Sequence, residues 1–155
     1  MGIGVAVNVN CGDRFVGAFL FSIALLSVIE YGLPLYTGRI GFGFKMDLIP
    51  ALLFNCMGVC ACLLVCTPAD KFDGSYWSMF VEGVFCGVLM YLAVKTKKPL
   101  CTVMCIMVFI LSGYEHCIAD FPSLVMYFSW ESLGKWGLVV LGNSVGSLGL
   151  RWLLE

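Results

Sequence analysis

Charge is scarce in this sequence of 155 residues: Asp, Glu, Lys and Arg make up 12% of it, against 61% hydrophobic residues and a mean hydropathy of +0.97. A protein bathed in water on all sides needs more polar surface than that, which excludes an ordinary soluble domain and makes the lipid bilayer the solvent. The net charge of −1 excludes a broad basic face, so nucleic acid is not expected as a partner. A secretory leader is also lacking, because Met1 to Asn10 carries neither a basic segment nor a small-residue cleavage site; insertion is expected to rest on the spans themselves.

Histidine is almost absent, with His116 the single copy. There is no Cys-x-x-Cys pair, no pair of haem-ligating histidines and no phosphate-binding glycine loop, which argues against a metal site, a cofactor and a membrane enzyme. The nine cysteines are an odd number. Cys56, Cys60, Cys62, Cys66, Cys86 and Cys105 lie inside apolar segments, where a thiol acts as a small hydrophobe, so no disulfide framework is expected.

What the sequence has is long apolar runs. A helix needs about 20 apolar residues to cross the hydrocarbon core, and five segments approach that length: 15–32, 48–66, 76–94, 100–126 and 136–154. The expected fold class is all-α, a polytopic helical membrane protein with about five spans forming a single transmembrane domain over residues 1–155. Arg39, Lys45, Lys95, Lys97, Lys98 and Arg151 fall on one side of these spans, and Arg14, Lys71 and Lys135 on the other. The excess marks the cytoplasmic side, which predicts a multi-pass protein of the cell membrane with its C-terminus inside. The N-terminus then lies outside, which leads us to expect an earlier span that this chain lacks.

Two spans contain helix breakers. The first carries Gly32, Pro34 and Gly38 in EYGLPLYTGRIG, and the fourth carries Gly113 in SGYEHCIADFP. Freed backbone at membrane depth is tolerated only where it packs in protein or lines a wet cavity, so the breaks point to a pathway. Each broken span is followed by an Asn-x-x-Gly step, Asn55 to Gly58 and Asn143 to Gly146. That recurrence is the mark of inverted repeats with a site at their interface. The second break also concentrates Glu115, His116 and Asp120. A central charge costs about 2.5 to 3.5 kcal/mol on insertion scales, so such side chains face a cavity or a partner, and a lone histidine among them is a candidate functional group.

The stretch SGYEHCIADF resembles the signature of the formate/nitrite transporter family, whose common form is G-F-E-H-x-x-A-N-M. Gly113, Glu115, His116 and Ala119 match, Tyr114 stands for phenylalanine, and Asp120 departs from the family's asparagine. FSIALLSVIEYGLPLYTG is similar to the family's second span, with Ala24 for a glycine and Tyr36 for a phenylalanine, and GNSVGS is similar to its last. The order and spacing of these pieces agree, so the resemblance covers nearly the whole chain.

The resemblance implies an aquaporin-like inverted-repeat channel fold, here truncated at the N-terminus, a homopentamer with one pore per subunit, and small monovalent weak-acid anions or their conjugate acids, of the formate, nitrite and hydrosulfide class, as cargo. It places apolar constrictions at Phe21, Leu25, Leu35, Tyr36, Met90 and Phe109. His116 becomes the pore histidine, Thr37 its neighbour in the first break, and Lys71 a vestibule cation, with Glu115 and Asp120 beside them. Glu115 or Thr37 is expected to set the histidine tautomer. Gly87 stands where the family has a second asparagine. The competing expectation is a non-transporting structural or accessory membrane protein, or the relic of a transporter.

Overall fold

The computed structural model describes residues 1–43 and 47–155; Lys45, one of the cations counted above, lies outside the described residues. Helix α1 (Gly2–Asn10) is followed by α2 (Arg14–Glu30), the short α3 (Tyr36–Ile40), and α4 (Leu48–Val59), which runs into a 3-10 segment (Cys60–Leu64). Helix α5 (Tyr76–Lys95) leads to α6 (Pro99–Ser112), the short α7 (Phe121–Met126) and α8 (Trp130–Leu154). No strand occurs among the described residues.

Local chemistry explains the boundaries. Asp13 accepts from the Val16 amide at the start of α2, Ser75 from the Ser78 amide at the start of α5, and Ser129 forms a reciprocal capping box with Ser132 at the start of α8. Such caps satisfy amides that a helix end leaves without partners. Helix α6 starts on Pro99 and stops at Gly113, which takes φ 76°, a conformation glycine reaches without Cβ strain.

The last span begins at Trp130, not at residue 136 as hydropathy indicates, because the Ser129 box initiates the helix through the polar residues Glu131 and Lys135. Lys135 is therefore not a loop cation. It is buried inside α8, donates to the Phe72 carbonyl at 2.9 Å and pairs with Glu131 at 2.6 Å.

The packing has an internal symmetry. Helix α1 packs on α2 as α5 packs on α6; α1 touches α4 as α5 touches α8; α3 meets α4 and α8 as α7 meets α8 and α4; and α2 crosses α6. Residues 1–64 and 76–154 are thus two copies of one arrangement. The counterpart of the 20-residue α5 in the first copy is α1, which has only nine residues and is too short to cross the hydrocarbon core alone.

The tightest seam joins α5 to α8. Gly83 and Gly87 face Gly142 and Gly146, and a Cβ at Gly83 would sit 3.1 Å from the Val139 carbonyl. The Ser147 hydroxyl donates to the Gly87 carbonyl at 2.9 Å across the same seam. Small residues at four-residue spacing let membrane helices approach backbone to backbone. Gly87, where the resemblance leads one to look for asparagine, abuts the Asn143 backbone and leaves no space for a side chain.

Helices α5 and α8 are long and apolar enough to cross a membrane. Large apolar side chains such as Phe54, Met57 and Leu100 stand exposed on the outside. Trp77 and Trp130 lie near the starts of the parallel helices α5 and α8 and Trp152 near the other end, the positions of an interfacial aromatic belt.

Candidate functional site

Both breaks are built the same way. After α2, Gly32 takes φ 64° and the Leu33 amide reaches back to the Val28 carbonyl; after α6, Gly113 takes φ 76° and the Tyr114 amide reaches back to Phe109. Three residues beyond each glycine stand Leu35 and His116. An asparagine from the following long helix then clamps the peptide on either side of that residue. Asn55 accepts from the Tyr36 amide at 2.9 Å and donates to the Pro34 carbonyl at 2.8 Å. Asn143 accepts from the Cys117 amide at 3.0 Å and donates to the Glu115 carbonyl at 3.0 Å.

Asn143 also donates to Gly83 at 2.9 Å, and the Trp136 indole donates to the Cys117 carbonyl at 2.8 Å. Buried backbone groups require such partners. His116 therefore occupies, in the second repeat, the position Leu35 holds in the first.

The imidazole is 1% exposed and packs face to face on Phe109, with ring centroids 5.6 Å apart, while Phe109 meets Phe21 edge-on at 6.2 Å. Its Nε2 lies 3.1 Å from the Thr37 hydroxyl of α3, and its Nδ1 accepts from the Ala119 amide at 3.2 Å. An amide can only donate, so Nδ1 carries the lone pair and the ring proton sits on Nε2, directed at Thr37.

Above the ring opens a cavity of about 600 Å³ whose wall includes Phe21, Phe109, His116, Lys71, Asp120 and Arg14. Lys71 is held at its backbone by the Ser123 hydroxyl at 3.0 Å, and its ammonium stands 3.5 Å from Glu115.

The structure brings together His116, Thr37, Phe21, Phe109, Lys71, Glu115 and Asp120. Leu25, Leu35, Tyr36 and Met90 are buried but lie outside the cavity wall; the Tyr36 hydroxyl is 3.0 Å from Ser144 of α8. Of the two residues expected to set the tautomer, Thr37 touches the ring. Glu115 does not: its carboxyl group neighbours Lys71 and Asp120 instead. The missed residues are Asn55 and Asn143, legible only as a recurring Asn-x-x-Gly step, and Arg14, which lines the cavity and donates to the Leu111 carbonyl at 2.8 Å.

No family model and no curated protein matches the sequence. Among solved structures, an FNT family ion channel superposes with a TM-score of 0.76 at 23% identity, covering 99% of this chain and 85% of that one. A pentameric formate channel with formate bound superposes with a TM-score of 0.68 at 20% identity, covering 99% and 91%. At these identities the likeness is one of fold: the chain has the polytopic helical architecture of those channels.

Proposed function

We propose that residues 1–155 form one transmembrane channel unit of the formate/nitrite transporter kind, passing small weak-acid anions of the formate class as neutral acids through the cell membrane. The observation that carries this reading is the placement of the His116 ring: at a helix break, stacked on Phe109, with the cavity on one side and the apolar crossing of α2 and α6 around it. The shared fold with a formate-bound channel supports the choice of solute. The homopentamer and the cytoplasmic C-terminus belong to the same proposal.

The energetics favour the neutral form. Moving a carboxylate-sized ion into an apolar constriction costs on the order of 20 kcal/mol in the idealised limit. Protonating a weak acid about three units below ambient pH costs only about 4 kcal/mol. Lys71 concentrates the anion in the cavity, the solute takes a proton there, and the neutral acid passes between Phe21 and Phe109. The Nε2–H of His116, shared with Thr37, offers the solute oxygen a hydrogen bond as it leaves water. Leu25, Leu35, Tyr36 and Met90 back this passage with apolar bulk.

Uptake of labelled formate into proteoliposomes, read together with a lumenal pH dye, tests the proposal. Neutral-acid passage acidifies the lumen in step with formate accumulation, and empty liposomes set the background. Formate entry without acidification contradicts the mechanism, and no entry above background contradicts the function.

A further inference from the structure

Among the described residues, two carboxylate oxygens are sealed from solvent without a hydrogen-bond donor: Glu115 Oε2 and Asp120 Oδ2. The residues are 5% and 4% exposed. Their carboxyl groups lie close together, and Asp120 is part of the cavity wall. Two ionised carboxylates cannot satisfy each other, because both only accept; a single proton between them satisfies both.

Among the described residues, Lys71 is the cation that pairs with either carboxyl group. Lys71, from the segment before α5, stands 3.5 Å from Glu115 Oε1 and balances one charge. From α5 come Glu82, a third negative group whose partner is the Ser78 hydroxyl at 2.5 Å, and the buried thiol of Cys86. Within the break, the Tyr114 phenol, the Cys117 thiol and the neutral His116 ring are the other titratable groups. Arg14 of α2 lines the same cavity but is engaged with the Leu111 carbonyl.

We propose that Glu115 and Asp120 share one proton in the cavity wall and deliver it to the anion that arrives there. The shared O–H bond breaks, its electron pair remains on the carboxylate oxygen, and a new O–H bond forms on the solute, which leaves as the neutral acid. The pair, doubly negative beside Lys71, then takes its next proton from solvent. The delivery step rests on the transport reading above; the shared proton does not.

Infrared spectra of the protein in lipid test the shared proton without any flux measurement. The wild type near pH 7 is expected to show the carbonyl band of a protonated carboxyl group, shifted in D2O, and the band should vanish in both Asp120→Asn and Glu115→Gln. A wild type with no such band near neutrality overturns the proposal, and this arm does not depend on either variant folding. A band that survives both substitutions overturns it as well.

In proteoliposomes, Asp120→Asn should lower formate uptake about tenfold near pH 7 and only about twofold near pH 5, where bulk solvent protonates more of the acid. An unchanged pH profile overturns delivery. A wild-type band without any formate uptake upholds the shared proton and overturns its delivery together with the transport reading.

Discussion

The Ala119 amide donates to Nδ1 of His116 at 3.2 Å, three residues from the ring's own backbone, while Nε2 faces Thr37 at 3.1 Å. Both ring nitrogens are thus committed, one as acceptor and one as donor, and the imidazole is held neutral in a fixed tautomer. Nitrogen-15 spectra of the imidazole should show a bare Nδ1 and a protonated Nε2 near neutrality. Thr37→Val removes the acceptor and leaves a buried N–H unpaired, which should lower stability by about 1 to 3 kcal/mol in detergent melts. Thr37→Ser should retain most of it.

Asn143 makes three buried hydrogen bonds, to Cys117, Glu115 and Gly83, whereas Asn55 makes two at a partly exposed position. Unpaired buried groups cost about 1 to 3 kcal/mol each. Asn143→Leu should therefore lower the melting temperature more than Asn55→Leu does. Equal losses would mean that the two clamps are not graded by burial.

Gly87 abuts the Asn143 backbone, and Gly137, on the same helix as Asn143, has nothing within 4 Å of a built Cβ. Gly87→Val should force α5 and α8 apart at a cost of about 1 to 3 kcal/mol or more. Gly137→Ala should cost nothing and gain a few tenths of a kcal/mol from helix propensity. Paired thermal melts check both.

Glu155 ties the ends of α5 and α8, accepting from Arg151 Nε at 2.7 Å and from Lys95 at 3.2 Å. Hydrogen bonds from Arg151 and then Lys95 hold its carboxyl group below the ordinary value of 4.5. The folded-state value is depressed, so the tie is present above the unfolded value and lost as pH falls through the folded one. Hydrogen exchange in the last turn of α8 should accelerate below about pH 4.5, after correction for the intrinsic rate, and should be constant above it.

Hydropathy located the spans because lipid demands long apolar runs, and Gly32, Pro34 and Gly113 marked the breaks because their backbone chemistry is local. The start of α8 was missed for the opposite reason: Glu131 and Lys135 dilute the apolar signal, and the acceptor that justifies burying Lys135 is the Phe72 carbonyl, far along the chain. The histidine was legible as a lone ionisable group at a break. Its partners were not, since Thr37 and Asn143 reach residues 116 and 115 across long sequence separations. Asp120 reads as a departure from a motif, and only coordinates show that its free oxygen sits beside another carboxyl group.

The central claim is that solute passes the His116 ring. Formate uptake into proteoliposomes, compared between the wild type and His116→Ala across a range of pH, tests it most directly. The account predicts that the substitution lowers the rate about tenfold or more and alters its dependence on pH. A His116→Ala protein that is folded and takes up formate at the wild-type rate, with the wild-type pH profile, would contradict it.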